Sequence, residues 1–267
     1  MNFITIILCY NYFVKKIIIA NWKMNPFSAK EAESISKGVK NTVLKLKKTQ
    51  VVICPPFIYF NNLRKIIGRT TNFFLGAQNS FWEIEGAFTG EVSPEMIKNY
   101  GGAYVILGHS ERRSLGETDE MVSKKTIACL KTGLKAVVCV GEKIRDEQGD
   151  YLVFLRDEIR NSLNKVQKKF LRNLIIAYEP IWAIGKKDAD AMLPADIHET
   201  SIYIKKILSE IYGQESALTV PILYGGSVGG KNAGEIIKEG EVDGLLVGHQ
   251  SLRPESFREI LRSVESL

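Results

Sequence analysis

The sequence predicts an α/β fold, a (β/α)8 barrel in which eight parallel strands are surrounded by helices. Eight short apolar runs rich in Val and Ile recur along the chain, and amphipathic stretches separate them. The runs are nearly continuous in apolar residues, which indicates strands buried on both faces, as in a parallel sheet covered by helices. A chain of 267 residues is also close to the usual size of one such barrel.

The predicted strands and helices alternate along the chain. The strands are Lys16–Ala20, Val51–Cys54, Phe73–Ala77, Tyr104–Leu107, Ala136–Val140, Leu174–Tyr178, Val220–Tyr224 and Gly244–Val247. The helical stretches include Ala29–Leu46, Ser123–Thr132, Leu152–Phe170, Ala195–Ile211 and Ala233–Lys238. An open, doubly wound sheet is the alternative, but the GxGxxG nucleotide-binding sequence does not follow the first strand, where Asn21–Asn25 stands instead.

The sequence predicts one barrel domain over residues 15–267, because no linker or low-complexity segment divides it. Residues 1–14 form an N-terminal extension that is largely apolar but too short to span a bilayer. They also lack the basic segment and the small-residue cleavage site of a signal peptide. We therefore expect a cytoplasmic protein without a membrane partner.

Charge and cysteine content narrow the classes of ligand. The formal net charge of +6 suits an anionic ligand but does not choose among phosphates, nucleic acids and acidic surfaces. No basic run is interleaved with aromatic residues, so we expect no nucleic-acid partner. The four cysteines, Cys9, Cys54, Cys129 and Cys139, show neither CxxC nor zinc-like spacing, so we expect no metal and a reducing compartment.

Three candidate catalytic residues stand where predicted strands end, the position at which barrels of this type place their chemistry. Glu179 follows the sixth strand among apolar neighbours, and burial would raise the pKa of its carboxyl group and make it a better base. His109 follows the fourth strand, where the start of a helix would hold the ring neutral and able to donate a hydrogen bond. Lys23 follows the first strand. Each of the three also has a purely structural interpretation. Glu179 could form an ion pair, His109 could be a hydrogen-bonded core residue, and Lys23 could be a solvated surface residue.

Glycine-rich turns follow the seventh and eighth strands, where barrels often bind phosphate. Gly225, Gly226 and Ser227 form the first turn, and Gly248 belongs to the second. Glycines let backbone N–H groups approach an anion closely, so we interpret these turns as a phosphate site. Ordinary tight turns are the alternative.

Five ordered segments resemble the signature segments of the triosephosphate isomerase family. They are Ala20–Asn25, Gly86–Glu91, Gly108–Arg113, Ala177–Gly185 and Tyr224–Val228. The resemblance covers about residue 15 to the C-terminus. It implies the TIM-barrel fold and an intramolecular oxidoreductase that interconverts dihydroxyacetone phosphate and glyceraldehyde 3-phosphate without a metal or an organic cofactor. Another phosphosugar isomerase or epimerase and a binding protein with an impaired site remain the alternatives.

The resemblance also implies roles for individual residues. Glu179 is the base, His109 polarises the carbonyl group, and Lys23 and Asn21 stabilise the enediolate. Glu111 supports Lys23, unless it forms a structural ion pair with Arg112 or Arg113. The substrate's phosphate binds at Gly185, Ser227, Gly226 and Gly248, beneath a lid over Pro180–Asp190. The family is typically homodimeric, through a loop that is here about Gln78–Glu91 with Thr89 near its tip.

The chain departs from the family's pattern near the phosphate site. His249 stands where a second glycine is usual, so we expect altered phosphate binding or a contact from the imidazole itself. Lys186, Lys187 and Asp188 replace the usual lid sequence, so we expect altered lid closure. The segment after Arg113 is one residue shorter than usual.

Overall fold

The structure is a computed structural model that describes residues 15–183, 185 and 192–267. Within them, eight parallel strands pair in sequence order and close between β8 and β1 into a barrel. The strands are β1 Lys16–Asn21, β2 Thr49–Cys54, β3 Phe73–Ala77, β4 Gly102–Leu107, β5 Lys135–Val140, β6 Leu174–Tyr178, β7 Ile222–Tyr224 and β8 Gly244–Val247. The predicted fold class is therefore confirmed, and each predicted strand overlaps an observed one.

Helices follow the strands and cover the outside of the barrel. They are α1 Ala29–Val43, α2 Phe60–Ile67, α3 Pro94–Asn99, α4 Ser110–Ser114, α5 Asp119–Thr132, α6 Asp150–Ser162, α7 Pro194–Tyr212, α8 Gln214–Leu218, α9 Ala233–Glu239 and α10 Pro254–Glu265. Short 3-10 helices lie at Phe57–Tyr59, Lys168–Asn173, Ile181–Ala183 and His249–Leu252. The prediction did not include α2, α3, α8 or α10, whereas α4 is the helix expected to start after His109.

Two elements differ from the prediction for local reasons. The predicted helix Leu152–Phe170 divides, because α6 ends at Ser162 and Lys165 adopts a left-handed φ of 62° before a 3-10 helix begins. Strand β7 begins after Pro221, which has no N–H group to donate to the sheet. Neither change affects the carboxyl ends of the strands.

The core has two layers that share the strands. Alternate strand residues point into the barrel, among them Ile19, Val52, Tyr104 and Ile106, while their neighbours pack outward against the helices. Both strand faces are buried, as the nearly continuous apolar runs predicted. In the part of the chain that the structure describes, no helix is long and apolar enough to cross a membrane.

Candidate active site

Glu179 is fixed at the end of β6 by its own backbone and by close packing. Its N–H donates to the carbonyl oxygen of Val140 at 2.8 Å, which joins the ends of β5 and β6. The side chain is 3% exposed. Glycines give it room, since a Cβ at Gly225 would lie 2.8 Å from Cγ of Glu179 and one at Gly141 would lie 1.9 Å from its carbonyl oxygen. The carboxylate thus has little freedom to move.

His109 meets this carboxylate from the end of β4. Its Nε2 lies 3.0 Å from Oε1 of Glu179, and its Nδ1 accepts a hydrogen bond from the N–H of Glu111 at 3.2 Å. An Nδ1 that accepts carries no proton, so the proton lies on Nε2 and the ring is neutral in this arrangement. The N–H of Ser110, in the first turn of α4, donates to the other carboxylate oxygen of Glu179 at 3.3 Å.

The contact between Glu179 and His109 changes the pKa directions that the sequence predicted. Burial raises the pKa of Glu179, but the adjacent imidazole of His109 and the Ser110 N–H lower it by more, so the net direction is downward. We expected an upward shift, and that expectation is wrong for the free site because it considered burial without a partner. Burial lowers the pKa of His109, but the charge of Glu179 and its hydrogen bond together outweigh burial, so the net direction is upward. A ligand that separates the two groups removes this upward effect on the pKa of His109.

Lys23 enters the same space from the end of β1, with a left-handed φ of 53°. Its N–H donates to Oδ1 of Asn21 at 3.1 Å, and its carbonyl oxygen accepts from Nε2 of Gln78 at 2.9 Å. Its Nζ lies 2.6 Å from Oε1 of Glu111. Two hydrogen bonds therefore hold the strained backbone, and a carboxylate orients the ammonium group.

The ion pairs around α4 decide between the two interpretations of Glu111. Arg112 pairs with Glu117 at 2.7 Å, and Arg113 pairs with Asp119 and Glu158. Glu111 pairs with Lys23 instead. The structure thus places Glu111 beside Lys23, as the family resemblance implied, and not beside either arginine.

The glycine turns after β7 and β8 lie beside these residues. Oγ of Ser227 donates to the carbonyl oxygen of Ala183 at 2.9 Å, which joins the β7 turn to the segment after β6. A Cβ at Gly248 would lie 3.6 Å from Cε of Lys23, so the β8 turn borders the ammonium group. Gly226 packs tightly on Tyr224, because a Cβ there would lie 2.2 Å from the tyrosine oxygen. Exposed His249 begins the 3-10 helix after Gly248.

The segment after Glu179 is anchored at its start. The N–H of Ile181 donates to the carbonyl oxygen of Glu142 at 2.9 Å, and Nε1 of Trp182 donates to the Glu142 carboxylate at 2.8 Å. Gly185 is exposed and has a left-handed φ of 76°. The lid differences expected at Lys186–Asp190 lie outside the described residues.

Comparison with known proteins places this arrangement in a family. The family model for triosephosphate isomerase matches residues 16–264. The chain belongs to the triosephosphate isomerase family. It is 42% identical over 251 residues to the triosephosphate isomerase of Dictyoglomus turgidum, covering 93% of this chain and 99% of that protein.

Two further relatives are similar to this chain to about the same degree. The triosephosphate isomerase of Dehalococcoides mccartyi is 42% identical over 252 residues, which cover 93% of this chain and 97% of the relative. That of Thermoanaerobacter pseudethanolicus is 41% identical over 250 residues, which cover 92% and 98%. The first described strand of this triosephosphate isomerase family member begins at Lys16, where the family match also begins.

Sequence reasoning missed three residues that touch the site of this family member. The buried thiol of Cys139 lies near the Glu179 carboxylate, and burial raises the pKa of that thiol well above its usual value. Gln78 holds the Lys23 carbonyl oxygen, and Glu142 holds the segment that follows Glu179. Their only signal in the sequence was a place in or after a predicted strand. Among the described residues, no cluster of His, Cys, Asp and Glu suits a metal ion.

The loop after β3 projects from the barrel. Phe81 stacks on Trp82 with ring centroids 4.1 Å apart and contacts Phe88 at 4.6 Å. Residues 83–91, which include Thr89, are exposed, and Phe88 keeps 43% of its surface accessible. The aromatic cluster stiffens the base of the loop and leaves its tip free.

Proposed function

We propose that this chain interconverts dihydroxyacetone phosphate and D-glyceraldehyde 3-phosphate by moving one proton through an enediolate. The observation that carries the proposal is the buried pair of Glu179 and His109, with Nε2 3.0 Å from Oε1, beside Lys23 at the carboxyl ends of the strands. Relatives of 40–42% identity carry the name triosephosphate isomerase, which supports the same reaction. Glycolysis and gluconeogenesis in the cytoplasm are the proposed setting.

In this mechanism Glu179 is the base. Its carboxylate is held ionised in the free site by the two donors that meet it, and it is buried away from water. A substrate that displaces the imidazole leaves the carboxylate in a dry site, where its basicity rises. The carboxylate removes a proton from the carbon beside the carbonyl group and returns it to the neighbouring carbon. His109 moves the hydroxyl proton from one oxygen of the enediolate to the other, so one carbonyl group and one hydroxyl group exchange places and no group leaves.

His109 and Lys23 act on the oxygen atoms. The Nε2 proton of His109 points toward the Glu179 carboxylate, and a substrate carbonyl oxygen that comes between the two groups would accept it. The ammonium group of Lys23 stabilises the negative charge that develops on the enediolate. Asn21 holds the Lys23 backbone, and Glu111 orients its side chain. We assign Asn21 and Glu111 to positioning.

The phosphate group is proposed to bind at the β7 and β8 turns. Gly226, Ser227 and Gly248 supply backbone N–H groups there, with Gly185 from the lid and His249 beside them. Two contacts support this placement: Ser227 touches Ala183 at the lid's base, and Gly248 borders Lys23. Closure of the lid would keep water from the enediolate, which could otherwise lose phosphate.

A homodimer is proposed through the loop Gln78–Glu91, with Thr89 near its tip. Large apolar side chains are exposed beside this loop, namely Met24 at 90%, Phe27 at 97% and Ile58 at 77%. Hydrogen bonds join the loops after the first three strands, from Gln78 to Lys23 and from Tyr59 to Pro26, so these side chains share one side of the barrel. Exposed apolar groups in one area favour a protein interface.

The oligomer is tested by sedimentation equilibrium of the unchanged protein and of Phe88→Asp. We expect a mass of about twice 30.0 kDa for the unchanged protein and a shift toward one copy in the variant. Leu218→Asp is the matched control, because Leu218 is also 43% exposed but precedes β7 at the other end of the barrel. A monomeric unchanged protein would contradict the proposal.

The reaction is tested by a coupled spectrophotometric assay with glyceraldehyde 3-phosphate. We expect turnover by the unchanged protein and a loss of at least about a hundredfold in Glu179→Asp, which draws the carboxylate back by about one bond length. Glu210→Asp is the control, because Glu210 pairs with Arg160 on the outside of the barrel. No turnover, together with binding of a phosphorylated enediolate mimic, would instead support a binding protein.

A further inference from the structure

Arg113, in α4, joins the ends of two neighbouring strands. Its Nε donates to the carbonyl oxygen of Gly108 at 2.7 Å, directly before His109. One Nη2 hydrogen bond reaches the carbonyl oxygen of Cys139 at 3.3 Å, near the end of β5, and another reaches Oγ of Ser162 at 3.0 Å. The guanidinium group therefore fixes the distance between the strand end that carries His109 and the strand that lies beside Glu179.

Glu158, in α6, completes this connection from the helix layer. Its Oε1 lies 3.3 Å from Nε of Arg113, and its Oε2 accepts a hydrogen bond from the N–H of Gly141 at 2.7 Å. Gly141 packs directly on the backbone of Glu179. One ion pair thus touches the backbone on both sides of the catalytic pair.

The ion pair of Arg113 and Glu158 is more buried than a typical ion pair on the protein surface. The side chain of Glu158 is 5% exposed and that of Arg113 is 15% exposed, while the Arg160–Glu210 pair is 47% and 41% exposed. A planar guanidinium fork can reach two carbonyl oxygens and a carboxylate together, which a lysine ammonium group cannot reproduce. The network is therefore specific to arginine at this position.

We propose that Arg113 and Glu158 are positioning residues that set the separation of the ends of β4 and β5, and through it the contact between His109 and Glu179. The inference rests on the proposed function, since it concerns the alignment of the proposed base and proton donor. A displacement of about 1 Å between such groups can cost a hundredfold in rate. Neither residue touches the substrate space directly, so binding of the phosphate group should change little.

The test compares Arg113→Lys and Glu158→Gln with the unchanged protein and with Arg160→Lys as the control on the same helix as Glu158. We expect kcat to fall by at least about tenfold in both test variants while KM stays within about threefold. The control should match the unchanged protein. Imidazole NMR should show a lower pKa for His109 in the test variants, because the Glu179 carboxylate no longer lies against it.

Each outcome decides the proposal. Unchanged kcat and an unchanged His109 pKa, with a lower melting temperature alone, would show a merely structural role and overturn it. If Arg113→Lys does not fold, the kinetics of Glu158→Gln test the proposal. This variant should fold, because its amide oxygen can still accept the hydrogen bond from the N–H of Gly141. An unchanged protein without turnover would overturn the proposed function and this proposal together. Turnover by the unchanged protein with equally active variants would overturn this proposal only.

Discussion

Nε2 of His109 lies 3.0 Å from Oε1 of Glu179, and both side chains are buried. Each group therefore sets the charge state of the other in the free site. The carboxylate raises the pKa of the imidazole against the effect of burial, and the imidazole lowers the pKa of the carboxyl group. Substrate binding between them would end both effects.

Removal of the carboxylate charge should lower the pKa of His109. In Glu179→Gln, burial and the nearby charge of Lys23 remain, and both lower that pKa. Nitrogen NMR of the imidazole rings across pH 5 to 9 measures the change, with His109→Gln to assign the signal among the three histidines. An unchanged pKa would mean that the two groups are not in contact in solution.

Glu158 should make the stability depend on pH. Burial raises its pKa from 4.5 to about 7. The folded state thus holds this proton more tightly than the unfolded state, so this group favours the folded state most at low pH. That effect is lost as the pH rises from about 4.5 to about 7. The groups that oppose or add to the shift are Arg113, the Gly141 N–H, Asp119 and Glu179.

Glu158→Gln should remove this dependence. We expect the free energy of unfolding of the unchanged protein to fall by about 2 kcal/mol more than that of the variant between pH 5 and pH 8. Urea unfolding at the two pH values measures both, and contributions from other groups cancel in the comparison. Parallel pH dependence in the two proteins would show that Glu158 has an ordinary pKa.

His249 should weaken phosphate binding. Its side chain stands at the start of the 3-10 helix after Gly248, where a glycine would leave the backbone more room to approach the anion. We expect inorganic phosphate to bind His249→Gly about threefold more tightly at pH 8, a change of about 0.7 kcal/mol. Titration calorimetry measures the affinity. Weaker binding in the variant would instead show that the imidazole contacts phosphate, and equal affinity would refute both interpretations.

The barrel could be predicted from the sequence because its strands are buried on both faces. Runs such as Ala136–Val140 and Leu174–Tyr178 are continuous in apolar residues, and that signal depends on burial alone. Short helices such as α3 and α8 were missed, because five or six residues are too few to show a helical period. Their signals are local, as in the Ser93 side chain that accepts from the N–H of Met96.

The sequence predicted that three of the candidate side chains lie together, but it did not predict the directions of their pKa shifts. Strand ends identified Lys23, His109 and Glu179, because a closed parallel barrel brings all carboxyl ends together. The pKa directions depend on which side chains touch, and a contact such as Glu179 with His109 joins residues far apart in the chain. Cys139 and Glu158 carried no separate signal, since one belongs to an apolar run and the other to an amphipathic helix.

The central claim is that Glu179 moves a proton through an enediolate, and isomerisation of glyceraldehyde 3-phosphate in heavy water tests it most directly. A carboxyl group that carries the abstracted proton can exchange it with solvent before returning it. We therefore predict that a measurable fraction of the dihydroxyacetone phosphate formed carries deuterium on the carbon that receives the proton, as observed by NMR or mass spectrometry. Complete retention of the original hydrogen, with no deuterium in the product at any extent of reaction, would contradict the account.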